Sequence, residues 1–419
     1  MNSGWRRYIR PHNILATIFI FFTLWVLSFI HIDHHVLNPF KNGVKDYDVT
    51  DIVYSRLRDE HKDLENRIVL VNTGNPDRLE IQQMLERIFE AEPKVVGVDV
   101  LFDGKKDPHT DSLLQATIKS SDRLILATNL GDYSEETHRF MTESANDTFF
   151  QPYSRTGYAN FPSNETRTLR LFSPHERTAR GSSSAFAVEI AALYDPGSLK
   201  DLNSRHNHLE RIHYTTDIDN YIRLEPETIL DTAFDIRSRL KDKIVLLGYL
   251  ENYTTEDPIV DRFYTPLNEK YTGRSIPDMY GVVVHANIIK MLLDRNYVGS
   301  FPKWIIYVFG AILIYVNTFF FFWNYKYWWY FKPFPNILYR LGHLVQVVEI
   351  VLMFFVMAWV FASYQIKIEF KVPIVALILA FDLCTIYYYL RKNFSILGNI
   401  PEYFPKKGYT EPPAEDHSA

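Results

Sequence analysis

The feature that most constrains this chain is the distribution of its apolar residues. One uncharged apolar run covers residues 13–30, and three more cover 303–324, 344–362 and 372–390. Each is close to the ~20 residues that a helix needs to cross the ~30 Å apolar core of a bilayer. The intervening residues 31–302 are mostly polar. The pattern predicts one membrane-spanning helix, a large domain in water, and then three further spanning helices.

The basic residues beside these runs indicate the orientation, because cytoplasmic flanks carry an excess of Lys and Arg. Three groups fall on one side of the membrane: Arg6, Arg7 and Arg10; Lys326, Lys332 and Arg340; Arg391, Lys392, Lys406 and Lys407. We therefore expect the N-terminus (1–12), the loop 325–343 and the tail 391–419 to be cytoplasmic. The large domain and the turn 363–371 are then expected outside, although Lys367 and Lys371 of that turn run against the rule.

The rest of the composition narrows the class of protein. No small-x-small cleavage site follows the first run at Ser28, so it is expected to remain as a signal anchor. The only cysteine is Cys384, inside the last run, so the large domain has neither a disulfide nor a cysteine zinc site. The net charge is −5, and the large domain carries no basic stripe that would indicate nucleic-acid binding.

The large domain alternates between strand-like and helix-like segments. Short β-branched runs predict buried strands, and amphipathic stretches between them predict helices. Strands are predicted at 67–73, 94–102, 123–128 and 243–250, and helices at 77–92, 111–119, 183–194, 229–240 and 283–293. Such an order of nearly continuous apolar strands is typical of an α/β domain with a mainly parallel sheet and helices on both faces. Residues 131–182 lack clear periodicity, and either edge strands or a ligand-facing insertion would fit them.

Four blocks in order resemble the CHASE2 sensory domain of bacterial membrane receptors: RIVLVNT at 67–73, KVVGVDVLFD at 94–103, KIVLLGYL at 243–250 with DRFYTPL at 261–267, and GVVVHANIIKMLL at 281–293. The order of spans, one before and three after the domain, resembles that family too. The resemblance implies an extracytoplasmic sensor of unidentified ligand, usually joined to a histidine kinase, a serine/threonine kinase or a nucleotide cyclase.

The chain departs from the family pattern after its last span. Residues 391–419 include four prolines and are too few to form a folded output domain. A signal is therefore expected to pass to a separate partner in the cytoplasm or membrane. The resemblance also implies a bacterial inner membrane, with residues 31–302 in the periplasm of a Gram-negative cell.

An acidic group follows the second predicted strand. Asp99 and Asp103 lie at its carboxyl end, where open parallel sheets bind ligands, and Asp107 and Asp111 come next. Such carboxylates could hold a divalent cation, and the sequence does not indicate which metal ion this would be. The interpretation we favour is structural, with Asp99 accepting from backbone amides and Asp111 capping a helix.

Three further candidates lie near the last predicted helix of the domain. Asp261 and Arg262 could clamp an anionic group, but an internal ion pair is favoured. His285 could bind a ligand or respond to pH, and a hydrogen-bonded structural histidine beside Asn287 is favoured. Among the catalytic and cofactor motifs sought, none occurs, so the chain is expected to be neither an enzyme nor a cofactor protein.

Two acids lie inside the last two spans. Glu349 is nine positions after Arg340, and Asp382 is nine before Arg391, so both are predicted at the same depth in the membrane. They could face each other. An interhelical hydrogen bond is favoured over a proton relay or a docking point for a basic partner helix.

Two classes of function therefore compete. In the first, the protein is a sensor or receptor subunit that signals through a separate protein, either as a single copy or as a homodimer. In the second, it is a structural subunit of an envelope complex. An exported hydrolase that uses the Asp99 group ranks last.

Overall fold

The structure is a computed structural model that describes residues 11–29, 48–57, 64–144, 149–150, 153–162, 168–250, 261–268, 276–327 and 335–394. Its chain divides into two compact units. One contains residues 1–33, 301–357 and 368–419, and the other contains residues 34–300 and 358–367. We call the first the membrane unit and the second the α/β unit.

The described helices, numbered in chain order, are α1 Pro11–Ser28, α2 Val49–Arg56, α3 Arg78–Glu90, α4 Pro108–Lys119, α5 Phe186–Tyr194, α6 Leu199–Arg205, α7 Pro226–Leu230, α8 Arg237–Leu240, α9 Gly281–Asp294, α10 Lys303–Tyr327, α11 Pro335–Tyr364 and α12 Lys371–Phe394. Short 3₁₀ turns cover Pro196–Ser198 and Ile218–Asn220.

The described strands are β1 Glu65–Asn72, β2 Val95–Val98, β3 Leu124–Ser134, β4 Arg139–Ser144, β5 Arg155–Tyr158, β6 Leu171–Phe172, β7 His175–Thr178, β8 Gly181–Ser184, β9 Glu210–Arg211, β10 Tyr221–Leu224, β11 Ile244–Gly248, β12 Arg262–Phe263, β13 Met279–Tyr280, β14 Gly299–Ser300 and β15 Ile366–Lys367.

Within the described residues, nine of these strands form one sheet in the order β10-β1-β11-β2-β3-β4-β7-β8, with β5 also paired to β3. The pairs from β10 to β3, and β3 with β5, are parallel. The pairs β3 with β4 and β7 with β8 are antiparallel. The predicted α/β class with a mainly parallel sheet is therefore confirmed, and residues 131–182 contribute edge strands to it.

Both faces of the parallel strands are buried, because successive side chains of a strand point to opposite faces. In β1, Val69 and Val71 pack under α3 and α4, whereas Ile68 and Leu70 pack under α5 and α9. The same alternation in β2, β3 and β11 gives two cores, one on each side of the sheet. This explains why the strands appear in the sequence as continuous apolar runs.

The predicted helix at 229–240 is wrong as a single element. The structure has the short helices α7 and α8 there, separated by a turn. The side chain of Asp231 accepts from the Ala233 amide at 2.9 Å, and that of Asp235 accepts from the Arg237 amide at 3.1 Å. Such local bonds offer the backbone an alternative to helical pairing, and periodicity alone does not reveal them.

The membrane unit contains four helices that are long and apolar enough to cross a membrane, α1, α10, α11 and α12, as predicted. Helices α1, α10 and α12 pack against one another. Helix α11 closely approaches α12 where the backbone of Gly342 faces the ring of Phe381, since a Cβ at Gly342 would lie 2.5 Å from that ring. The side chain of Gln346 adds a hydrogen bond of 2.7 Å to the carbonyl of Leu377.

Candidate functional site

The candidate site lies at the carboxyl ends of β1, β11 and β2, in the α/β unit. The amide of Thr73 donates to the carbonyl of Gly248 at 2.9 Å, and the amide of Asp99 donates to the carbonyl of Leu247 at 2.8 Å. The ends of three neighbouring parallel strands are thereby aligned. Ligands of open α/β sheets bind at this kind of edge.

Asn72 organises the turns around this edge. Its side-chain oxygen accepts from the amides of Gly74 and Leu250, each at 2.9 Å, and its nitrogen donates to Glu225 at 2.7 Å. One buried side chain thus fixes the segments that follow β1 and β11 and the residue that precedes α7. Sequence reasoning did not find Asn72, although an asparagine that ends an apolar strand two residues before a glycine is a signal for such a turn.

Two glycines allow α9 to begin directly against this edge. A Cβ on Gly248 would lie 2.7 Å from Cβ of Val282, and a Cβ on Gly281 would lie 2.8 Å from both carboxylate oxygens of Asp261. The carboxyl group of Asp261 therefore lies against the first turn of α9. A carboxylate is favourable there because the N-terminus of a helix carries partial positive charge.

Asp99 and Asp261 are electrostatically coupled. Burial, with a smaller contribution from the charge of Asp261, raises the pKa of Asp99 to about 7. Most of the Asp261 residue is exposed, but its carboxyl group lies against protein. Burial of this group raises its pKa to about 6, although a hydrogen bond from the Gly281 amide opposes the shift. The pair is therefore able to gain or lose a proton near neutral pH.

We expect titration of this pair to make the protein less stable at pH 8 than at pH 5. Both carboxyls have a higher pKa when folded than the ordinary value of 3.8, so the folded state holds more protons between about pH 4 and pH 7. The stabilisation contributed by these two carboxyls is complete below this interval, falls across it and is lost above it. The buried His285 has an opposing effect below about pH 6.5, because its pKa is lowered from 6.5 to about 3 on folding. Melting temperatures of the full-length protein in detergent at pH 5 and pH 8 measure the effect.

The matched control is the variant Asp99→Asn with Asp261→Asn, which cannot titrate at either position. Burial also raises the pKa of Asp278 to about 6, so the variant should keep part of the dependence. We expect the difference in melting temperature between pH 5 and pH 8 to be smaller in the variant than in the wild type. Equal differences in the two proteins would show that the pair does not titrate in this range.

Arg262 and Asp261 make different contacts. Arg262 lies opposite Tyr280 in the β12–β13 ladder, donates to the Tyr280 hydroxyl, and stacks with its guanidinium carbon 4.3 Å from the centre of that ring. The ring of Tyr249 lies 5.9 Å from that of Tyr280. The favoured ion pair of Asp261 with Arg262 is therefore not formed. Asp261 precedes β12 with a left-handed backbone (φ 51°), and its carboxyl group lies against Gly281 at the start of α9, whereas Arg262 contacts Tyr280.

His285 and Asn287 lie in the first half of α9 and are both buried. The ring of His285 stacks on Phe161 with 4.8 Å between ring centres, and burial lowers its pKa to about 3. Asn287 binds the amide and the carbonyl of Thr216 at 3.1 and 2.9 Å. Asn287 is therefore a cross-link between α9 and residue 216, and His285 is a neutral residue of the core.

The acids that follow Asp99 do not join it. Asp107 is the N-cap of α4, accepting from the Thr110 amide at 2.8 Å, so the prediction that Asp111 caps this helix is wrong by one turn. Asp111 instead forms a buried ion pair with Arg78 at 2.6 Å. Arg78 also donates to the carbonyl of Asp103 at 2.9 Å, while the side chain of Asp103 is exposed. Within the described ranges, no group of three or more His, Cys, Asp or Glu side chains has a metal-binding arrangement.

In the membrane unit, Glu349 is bonded to a different partner from the one expected. The amide nitrogen of Asn317 on α10 donates to its two carboxyl oxygens at 3.0 and 3.3 Å. Asp382 lies on an exposed side of α12. The sequence predicts how deep a residue lies along a helix, but it does not predict the rotation of each helix about its axis. That rotation turns Glu349 toward Asn317.

The sheet, the edge site and the apolar helices together define a membrane protein with one large α/β domain. The family model of the CHASE2 domain matches residues 59–323, more than half of the chain. The chain therefore belongs to the CHASE2 family, a family of extracytoplasmic sensory domains, as its motifs suggested. Neither the curated proteins nor the solved structures include a significant match.

Proposed function

We propose that this protein is an extracytoplasmic sensory subunit that has no catalytic activity of its own and signals through a separate protein. The family supports the sensory role. The observation that carries the proposal is the course of α9, which begins at the candidate site and is buried along most of its length. A change at the site is thus positioned to move a helix that reaches through the core.

The far end of α9 is held by charged side chains. Lys290 and Asp294 of α9 bond to each other at 2.5 Å, and Arg67 at the start of β1 bonds to Asp294 at 2.8 Å. Arg67 also bonds to Glu65 at 2.7 Å, and the carboxylate of Glu65 lies 3.5 Å from Lys290. This network connects the end of α9 to the beginning of β1. A shift of α9 would therefore strain these ion pairs at the end of the sheet that lies away from the candidate site.

The chain then continues from α9 to the second apolar helix. The carbonyl of Asn296 is bonded to the His213 ring at 3.1 Å, and Gly299 pairs with Ile366 in the β14–β15 ladder. Helix α10 begins at Lys303. We propose that a ligand at the candidate site moves α9 and, through residues 295–300, the membrane-spanning helices. In this proposal the α/β unit lies in the periplasm of a bacterial cell, and both termini lie in the cytoplasm.

Affinity capture of the full-length tagged protein in mild detergent, with mass spectrometry, tests the proposal. We expect a stoichiometric kinase, cyclase or response protein. The double variant Asp99→Asn with Asp261→Asn keeps the spans unchanged, so it should capture the same protein while altering the output of that protein. Recovery of envelope proteins alone, or of the bait alone, would contradict a split receptor and support the structural role.

A further inference from the structure

Within the α/β unit, the turn between the last two apolar helices is held by a partly buried ion pair. Lys367, in β15, lies 2.8 Å from the carboxylate of Asp48, and Arg211, in β9, lies 3.4 Å from the same oxygen. The three side chains are only 14–18% exposed. We call the Lys367–Asp48 pair the latch, and Arg211 lies beside it. The pairing with Asp48 also gives a reason for a lysine that runs against the charge rule for this turn.

The backbone beside the latch is paired as well. The amide of Gly299 donates to the carbonyl of Gln365 at 2.9 Å, and the ring of Phe361, near the end of α11, lies 5.3 Å from that of Tyr54 on α2. Segments that follow α1, precede α10 and connect α11 to α12 therefore meet at one place. Residues 358–367 belong to the α/β unit for this reason.

The α2 helix has a second, independent attachment to the α/β unit. Asp51 of α2 accepts from Arg170 through both carboxylate oxygens, at 2.9 and 2.5 Å, and both side chains are buried. This attachment does not include Lys367. Helix α2 should consequently stay in place when the Lys367 pair is broken.

Asp48 has other partners that remain if Lys367 departs. Its Oδ1 atom caps α2 by accepting from the Thr50 amide at 3.1 Å, and Arg211 stays beside its Oδ2 atom. The Lys367 ammonium would regain water at the end of a flexible side chain. Breaking this pair thus does not leave a buried charge without a counter-ion, which is the usual reason why buried ion pairs are costly to open.

We propose that the Lys367–Asp48 pair is a releasable latch that fixes the turn between α11 and α12 to the α/β unit and can open while the core of that unit stays folded. Because α11 is one continuous helix that ends at Tyr364, release of the turn would free the end of that helix. In the proposed sensor, opening of the latch would be the step that frees the third and fourth spans. This role of the latch rests on the proposed function.

The charge of the latch does not depend on mild changes of pH. Burial by itself would raise the pKa of Asp48, but the charges of Arg211 and Lys367 outweigh it and hold this pKa well below its usual range. Asp48 therefore stays ionised in mildly acidic and neutral solution. Opening must come from movement of the attached segments rather than from protonation of Asp48.

Amide hydrogen exchange of the full-length protein in lipid nanodiscs, followed by mass spectrometry, tests the latch without any ligand or partner. Lys367→Met removes the charge and keeps much of the side-chain length. Asp48→Asn removes the negative charge and preserves a good N-cap. We expect either variant to speed exchange about tenfold in residues 299–300 and 365–367, while β1, β2 and β11 keep their protection.

Lys371→Met is the matched control, because Lys371 is an exposed lysine four residues further on. Exchange in Lys367→Met equal to that in the control would overturn the latch. Faster exchange that spreads into β1, β2 and β11 would overturn it too, because the pair would then support the whole fold. Either result concerns the latch alone, whereas failure of the capture experiment concerns the proposed function.

Discussion

Replacing Asp111 with alanine is expected to destabilise the α/β unit by about 3–5 kcal/mol, the usual cost of removing one partner from a buried ion pair. Asp111 and Arg78 are 4% and 5% exposed, and their atoms Oδ1 and Nη1 are 2.6 Å apart. The guanidinium of Arg78 would be left in a core between the rings of Phe102 and Phe150. Thermal unfolding of the full-length protein in detergent should show a decrease on the order of 10 °C.

Two comparisons identify the stranded charge as the cause. Glu90→Ala removes an exposed pair with Arg87 and should cost less than about 1 kcal/mol. The double variant Arg78→Met with Asp111→Leu removes both charges and should be more stable than Asp111→Ala. It should remain below the wild type, because Arg78 also holds the carbonyls of Asp103 and Gly104. A loss in Asp111→Ala as small as that in Glu90→Ala would refute this account.

The elements of the α/β unit were largely predictable from the sequence because their signals are local. In β11, successive residues such as Leu246 and Leu247 enter opposite cores, so the strand has an apolar pattern without alternation. In α3, the buried residues Ile81, Met84, Leu85 and Ile88 recur with helical spacing. The same local reasoning failed where side chains of Asp231 and Asp235 bond to nearby amides and divide a helix in two.

The site was predictable only in part, because its contacts join distant segments. The position of Asp99 follows from the rule for parallel sheets, and its coupling to Asp261 is an outcome of the fold. The bond of Asn72 to Glu225 spans 153 positions, and no periodicity signals such a pair. The latch is an extreme case, since the turn that holds Lys367 looks like a simple connection between two spans.

The second large effect is expected for Gly248→Ala, with a loss of about 1–3 kcal/mol. The new methyl group would lie 2.7 Å from Cβ of Val282 and 2.9 Å from its Cγ2. Rotation of the Val282 side chain cannot move its Cβ, so either the start of α9 or the end of β11 must shift. Gly281 would then move away from the carboxyl group of Asp261. Thermal unfolding measures the loss, and amide exchange in residues 281–285 detects the shift.

Gly197→Ala is the control for this substitution. A Cβ there would approach only the ends of the Asp195 and Arg295 side chains, at 3.2 and 3.3 Å, and these can turn away. Its melting temperature should stay close to that of the wild type. Val282→Gly removes the obstructing carbon but also costs stability by itself, because Val282 is fully buried in α9. The double variant Gly248→Ala with Val282→Gly should therefore lose less stability than the sum of the two single losses. If the two losses simply add, the close approach of β11 and α9 is not what requires glycine at position 248.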